Sequence, residues 1–182
     1  AACVSNLFGC SPNYDHSEES DGLEGSYNIS LIHKPLKKFS NKFTLANTYI
    51  KRVYAGAPNS KNTKQDNYYG DRYAFLYQGN YNFDLDNSIV FGLEREDDKM
   101  GFNKDSTVKI DSSSHVISQY LDYQSRITNN IYATFGARFD EHSFAGNEDS
   151  HRATISYVFD DKATKLKSSY GTGYRFPSLY ET

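Results

Sequence analysis

Hydrophobic and polar residues alternate along most of the chain, and this alternation predicts β-strands. In segment 69–83, for example, Tyr and Phe alternate with Arg, Gln and Asn. A period of two places successive side chains on opposite faces of a sheet. Eight segments show the pattern, and we predict strands at 25–33, 42–54, 69–83, 87–97, 113–127, 130–142, 151–159 and 164–175.

The connections between these segments alternate between short and long. The short ones are 34–41, 84–86, 128–129 and 160–163, and the long ones are 55–68, 98–112 and 143–150. A β-barrel of the bacterial outer membrane has tight turns at one end and longer loops at the other. The predicted strands have roughly nine to fifteen residues, which suffices for the roughly 9–11 that cross a bilayer. Although a soluble antiparallel sheet also alternates, the strand and loop lengths favour a transmembrane barrel.

The two faces of the predicted strands differ in polarity. In 130–142, one face carries Ile131, Phe135 and Phe139, whereas the other carries Arg138 and Asp140. A face with charged residues along its length needs water, so we assign it to a hydrated lumen and the apolar face to lipid. Aromatic residues near the strand ends predict the interfacial girdles of such barrels. These are Phe43, Phe83 and Phe159 beside short turns, and Tyr54, Tyr68, Tyr69 and Tyr174 beside long loops.

Composition and charge exclude two other classes of protein. The 182 residues include 16 Tyr and 12 Phe but no Trp, and no apolar run approaches the roughly 20 residues of a membrane-spanning helix. The net charge is -3. No basic stripe is present, as a nucleic-acid-binding face would require.

Two cysteines, Cys3 and Cys10, lie close together in a polar segment. A zinc site would need two further ligands nearby, so a small disulfide loop is the favoured interpretation and two free thiols the alternative.

Two motifs in the last third resemble those of TonB-dependent outer-membrane receptors. Residues 169–181 read SYGTGYRFPSLYE, and residues 136–143 read GARFDEHS, a strand end one hairpin ahead of the first motif. On this resemblance we expect Arg138, Asp140, Gly171, Gly173, Arg175 and Pro177 to face the lumen or the plug domain that fills it. In a strand running to residue 175, Gly171 and Gly173 would allow close approach of a neighbouring element, and Pro177 would mark the strand end.

The resemblance also implies an architecture. We expect an all-β fold in which this chain supplies about eight strands of a larger antiparallel barrel of roughly 22 strands, with plug and closing strands elsewhere. Residues 1–24 are expected to form an extracellular loop and residues 25–182 the partial barrel. Its partners would be outer-membrane lipid and lipopolysaccharide, the TonB complex acting through the plug, and a small metal chelate.

The first segment of the chain bears on the ligand. Glu19, Asp21 and Gly22 resemble an acidic stretch of cobalamin transporters, which order their loops with calcium, an ion suited to oxygen ligands. Cobalamin is therefore the first expectation and a ferric siderophore the second. Calcium bound to Glu19 and Asp21 competes with the simpler interpretation of a solvated turn.

Two other functions have weaker support. An outer-membrane enzyme could use Asp140, Glu141 and His142, but neighbouring residues of a strand alternate faces, so Glu141 would face away from the other two. A plain porin or adhesin barrel would not need the glycine and proline motif at residues 169–181. A receptor without catalytic residues is the expectation.

Overall fold

The computed structural model describes residues 19–55, 65–104, 108–161, 163–179 and 181. These residues form eight β-strands in one sheet. The strands are β1 (Glu19–Leu36), β2 (Phe39–Ala55), β3 (Gln65–Asn82), β4 (Asn87–Lys104), β5 (Val108–Arg126), β6 (Ile131–His142), β7 (Gly146–Val158) and β8 (Lys165–Gly171).

Each strand pairs antiparallel with the next one along the chain, in the order β1 to β8. β1 and β8 stand at the two edges, so the sheet is open. An edge strand presents unpaired backbone groups, which is the geometry expected of a section of a larger barrel. The prediction of an all-β antiparallel barrel segment is confirmed. The described residues include no helix long and apolar enough to cross a membrane.

All eight predicted strands are present, but most are longer than predicted. β3 begins at Gln65, inside the predicted loop 55–68, and β4 and β5 together take up most of the predicted loop 98–112. β1 begins at Glu19, so residues 19–24 belong to a strand and not to the predicted loop. Hydrophobic alternation fades in these extensions while the pairing register continues, because backbone hydrogen bonds hold a ladder together whatever the side chains are.

β8 is the exception, since it ends at Gly171 and not at the predicted residue 175. The residues that follow leave the sheet and lie across one of its faces.

The register assigns every side chain to one of two faces, which we call inner and outer. The inner face carries the even-numbered residues of β2 to β6, including Arg138 and Asp140, and the outer face carries the odd-numbered ones. No apolar side chain among the described residues is buried. Of the six polar side chains that are buried, four lie on the inner face, namely Ser118, Asp140, His142 and Ser156, and two, Asn41 and Asn47, lie on the outer face. This inverts the usual globular arrangement and fits a wall between lipid and water.

The sheet divides along its length into two halves. The band half contains the turns 37–38, 83–86, 127–130 and 159–164, all of β6 to β8, and the adjoining parts of β1 to β5. The rim half consists of residues 19–27, 47–55, 65–73, 97–104 and 108–115, where only β1 to β5 continue.

The outer face changes character at the border of the two halves. In the band half it carries exposed apolar side chains, including Leu45, Phe75, Leu93, Leu121 and Phe135. In the rim half it carries mostly polar ones, such as Asp71, Lys99 and Ser113, which are opposite one another. The apolar part of β3, residues 75–82, is close to the roughly 9–11 residues that cross a bilayer.

Candidate functional site

A charged cluster on the inner face centres on Arg138 of β6. Its Nε donates to the two carboxylate oxygens of Asp140 at 2.9 and 3.0 Å. One terminal nitrogen donates to Oε2 of Glu94 at 3.0 Å, and the other donates to Oγ of Ser118 at 2.7 Å. The register places Glu94, Ser118 and Asp140 in one row across β4, β5 and β6. Asp140 is only 2% exposed, and its charge is compensated by the guanidinium, as burial of a carboxylate requires.

The segment that follows β8 is fastened to this cluster. The hydroxyl of Tyr174 donates to Oδ2 of Asp140. The ring of Phe176 lies 4.8 Å from that of His142, centroid to centroid. Nδ1 of His142 in turn accepts hydrogen bonds from the backbone nitrogens of Phe144 and Ala145, each at 3.1 Å. Segment 172–179 therefore lies on the inner face and is held by two side chains of β6.

A short turn at residues 178–181 closes this segment. Oε2 of Glu181 accepts from the backbone nitrogen of Ser178 at 2.7 Å, from its hydroxyl at 2.9 Å and from Arg175 at 3.3 Å. These donors favour the ionised carboxylate. The hydrogen bonds from Ser178, assisted by Arg175, hold the pKa of Glu181 below its usual range.

A groove of about 530 Å³ separates segment 175–179 from the inner face of the rim half. Ligand pockets in proteins commonly have about 300–1,000 Å³. The groove contains the ion pair between Arg72 and Asp98, whose two hydrogen bonds measure 2.6 and 2.8 Å. Pro177 and Leu179 line the side opposite Ile50 and Met100.

The structure brings some of the predicted residues together and separates others. Arg138 and Asp140 form the cluster, and Arg175 and Pro177 line the groove. A Cβ at Gly171 would lie 3.2 Å from the carbonyl oxygen of His151, so the neighbouring strand does approach closely there. At Gly173 no described atom lies within 4 Å of such a Cβ, so no other part of this chain approaches closely there. The strand ends at Gly171, so Pro177 does not mark its end.

The predicted calcium and disulfide residues lie at or before the first strand. Glu19 pairs with Ala55 and Asp21 with Val53 at the far end of the β1–β2 ladder. Within the part of the chain that the structure describes, no three His, Cys, Asp or Glu residues cluster as metal ligands. Cys3 and Cys10 lie outside the described residues.

The predicted aromatic girdle at the loop side is wrong for three of its four members, since Tyr174 contacts Asp140 on the inner face. Tyr54 and Tyr68 lie on the inner face of the rim half, where they contact each other edge to face at 5.4 Å. The outer face instead carries Tyr27 and Tyr73 at the border of the two halves, where they are 64% and 49% exposed. A shift of one residue moves a side chain to the other face, so nearness to a strand end does not fix which face a tyrosine takes.

Residues 5–182 match the protein family described as TonB dependent receptor-like, beta-barrel. The chain belongs to this family. The match covers the whole sheet, including both halves and segment 172–179.

Among curated relatives, the ferrienterobactin receptor of Escherichia coli (strain K12) is 35% identical over 71 residues. That stretch is 39% of this chain and 9% of the relative. Of the solved structures, the RagAB peptide transporter matches 85% of this chain and 23% of its own with a TM-score of 0.66 at 13% identity. The same importer in its open-open state gives a TM-score of 0.63 at 14% identity. At these identities the solved structures show a shared fold, and the chain spans less than a quarter of either one. The relatives that are named are receptors and transporters.

Sequence reasoning on the receptor motifs missed most partners of Arg138 and Asp140. Glu94 and Ser118 are far from them in sequence, and only the register of β4, β5 and β6 brings them together. Tyr174 lies within the motif SYGTGYRFPSLYE, but its nearness to a predicted strand end assigned it to the aromatic girdle. The predicted inward orientation of Asp140 indicates that a hydrogen-bond donor lies near its carboxylate, although the sequence does not identify which residue supplies it.

Proposed function

We propose that this chain forms part of the barrel wall of an outer-membrane receptor that imports a small metal chelate, driven by the TonB complex. The family match over residues 5–182 carries the proposal. The apolar outer face of the band half and the charged inner face support it, because they suit a wall with lipid on one side and a hydrated lumen on the other.

In this proposal, each half of the sheet has its own task. The band half crosses the outer membrane in contact with phospholipid and lipopolysaccharide, with the turns at 37–38, 83–86, 127–130 and 159–164 in the periplasm. The rim half projects outward and forms part of the vestibule in which a ligand is captured. The Arg138 cluster positions segment 172–179 against the vestibule wall. The TonB complex would act through a plug domain, and the role is uptake without chemical change of the ligand.

A ferric siderophore is the proposed ligand class, and cobalamin is the second candidate. The similarity to a ferrienterobactin receptor over 71 residues favours the siderophore. The acidic stretch at Glu19 and Asp21 favours cobalamin with bound calcium. This preference rests only on the resemblance of that stretch to cobalamin transporters. Calcium would be expected at the loop end of β1, since both residues lie at the end of the ladder remote from the turn at 37–38.

The test is uptake by cells that express the complete open reading frame encoding this chain. Radiolabelled ferric siderophores and cyanocobalamin are offered to a strain lacking its own receptors, with and without a functional TonB. Accumulation of one of them only when TonB functions is expected. Uptake that is independent of TonB, or passive leakage of unrelated small solutes, would contradict the proposal and favour a porin.

A further inference from the structure

A histidine side chain closes the turn between β6 and β7. Nδ1 of His142, the last residue of β6, accepts hydrogen bonds from the backbone nitrogens of Phe144 and Ala145, each at 3.1 Å. Gly146 follows with a φ of 83°, the left-handed conformation that commonly ends a short hairpin loop. The imidazole therefore takes the part that an Asn or Asp oxygen plays in other turns.

The same imidazole also contacts segment 172–179. His142 is only 6% exposed, with Val116 and Gly146 opposite it on the neighbouring strands. On the inner side its ring lies 4.8 Å from the ring of Phe176, centroid to centroid. One buried ring thus joins the turn 143–145 to segment 172–179.

This arrangement requires an uncharged ring at His142. A ring nitrogen accepts hydrogen bonds only when it carries no proton, so the proton of the neutral ring is on Nε2. In the cation both nitrogens are donors, and Nδ1 would then face two backbone N–H groups. The closed turn therefore binds fewer protons than the open one, and closure is favoured at higher pH. Histidine ordinarily changes its charge between about pH 8 and pH 5.

Both signs of charge surround His142 on the inner face. The ionisable residues that face it from the described strands and from segment 172–179 are Arg72, Glu94, Glu96, Asp98, Arg138, Asp140, Glu148, Tyr174 and Arg175. The side chains of Lys99, His115 and Glu141 are on the outer face.

Most of these charges already have partners. Arg72 pairs with Asp98 at 2.6 Å, and Arg138 pairs with Asp140 at 2.9 Å and with Glu94 at 3.0 Å. Of the others, Glu96 and Glu148 would attract a cation at His142, whereas Arg175 would repel it. A protonated ring is therefore drawn away from the turn backbone and from segment 172–179 and toward the two carboxylates.

We infer that His142 is a pH-sensitive latch between the turn 143–145 and segment 172–179. At neutral pH the uncharged ring closes the turn and packs on Phe176. In mild acid the ring gains a proton and releases both backbone nitrogens, so that the turn opens and the segment loosens. Segment 175–179 lines the groove on the inner face, so the latch gives that groove two states. The inference goes beyond the proposed function and holds whichever ligand is transported.

Hydrogen exchange in the complete receptor, reconstituted in liposomes, tests the latch. Protection of the backbone nitrogens of Phe144 and Ala145, corrected for intrinsic rates, is compared at pH 7.5 and pH 5. We expect it to fall at least about tenfold in acid, because exchange reports local opening of the turn. Equal protection at both pH values would overturn the inference and would leave TonB-dependent uptake unaffected.

A pair of histidine variants identifies the group that titrates. In His142→Asn the side-chain oxygen occupies the place of Nδ1, accepts from the same backbone nitrogens and does not titrate, so protection should be equal at both pH values. His115→Asn is the matched control, because His115 bonds Ser143 through its backbone while its ring is on the outer face. This control should keep the fall in protection.

Two results would contradict the assignment to His142. They are a fall that persists in His142→Asn and a fall that disappears in His115→Asn. Folding of both variants is checked by heat-modifiable migration in gels. If His142→Asn fails to fold, His142→Asp takes its place, since an ionised carboxylate also accepts from both backbone nitrogens.

A spin label measures the coupling to segment 172–179. It is attached to Ser178→Cys in a receptor whose Cys3 and Cys10 are changed to serine. The label should become more mobile between pH 7.5 and pH 5 when His142 is present, and its mobility should not depend on pH in His142→Asn. A label that keeps its mobility in acid while the turn opens would overturn the coupling.

Discussion

The band half and the rim half are parts of the same strands, yet they place their apolar side chains on opposite faces. In the band half the outer face is apolar and the inner face carries the Arg138 cluster. In the rim half the outer face is mostly polar, and the inner face carries apolar side chains such as Ile50, Met100 and Phe102. One continuous hydrogen-bonded ladder runs through both halves of β1 to β5.

The difference shows that backbone pairing and facial polarity are specified independently. Pairing needs only extended backbone, so β3 to β5 continue beyond the level at which β6 to β8 end. Polarity follows whatever lies against each face, which in our proposal is lipid outside the band half and the water-filled vestibule inside the rim half. On that proposal, the level at which the pattern inverts marks the membrane surface.

The largest expected effect comes from a charge placed in the apolar band. Leu121→Arg puts a cation on the outer face of the band half, where it is expected to destabilise the folded barrel by about 2–4 kcal/mol if lipid lies there. Ser113→Arg, on the same face and strand but in the rim half, should leave the free energy of unfolding almost unchanged. Urea titration of the receptor refolded into liposomes measures both. Equal losses would mean that the two halves do not differ in environment.

The second prediction concerns the Arg138 cluster. Asp140→Ala removes the acceptor shared by Arg138 and Tyr174 and is expected to cost about 2 kcal/mol, the usual size for hydrogen bonds to a charged group. Segment 172–179 should then detach from the inner face, and the rate of tryptic cleavage after Arg175 should increase. Tyr174→Phe should accelerate cleavage with a smaller loss of stability, because Arg138 and Asp140 stay paired. Unchanged cleavage in both variants would contradict the assigned role.

Two glycines provide a smaller contrast. A Cβ at Gly92 would lie 2.5 Å from the carbonyl oxygen of Tyr77 and overlap the ring of Tyr120. Gly92→Ala is therefore expected to destabilise the barrel by about 1 kcal/mol or more. Gly173→Ala, where nothing lies within 4 Å, should be close to neutral in the same urea titration. A neutral Gly92→Ala would show that the inner face is packed less tightly than described.

The smallest effect is a pH dependence at the turn 178–181. Because the pKa of Glu181 is held below its usual value by Ser178 and Arg175, its stabilisation of the turn is complete only above the usual glutamate pKa of about 4.3 and is lost as the pH falls through the lowered pKa. Hydrogen exchange at the backbone nitrogen of Ser178, corrected for intrinsic rates, should show protection falling in that range. Glu181→Gln should remove the pH dependence, and a transition that persists in that variant would have to come from another group.

Much of the band half could be predicted from the sequence, whereas the rim half could not. Alternation at 130–142 identified a strand and both of its faces, because a strand with an apolar environment on one side only carries apolar residues at every second position. The extensions of β3 to β5 lack that constraint and were predicted as loops. The apolar residues on the inner face of the rim half were missed for the same reason, since Tyr68 and Phe102 lie in segments of weak alternation and become neighbours only through the register of β3 and β4.

Accessibility of two positions on β5 tests the central claim most directly. Leu121 and Ser113 are on the same outer face, about 27 Å apart along the strand, one in each half. Each is replaced by a spin-labelled cysteine in a receptor whose Cys3 and Cys10 are changed to serine, and relaxation by oxygen and by a water-soluble nickel complex is measured in liposomes. We expect oxygen to dominate at Leu121→Cys and nickel at Ser113→Cys. Equal accessibility of both positions to the nickel complex would contradict an outer face that passes from lipid to water between the two halves.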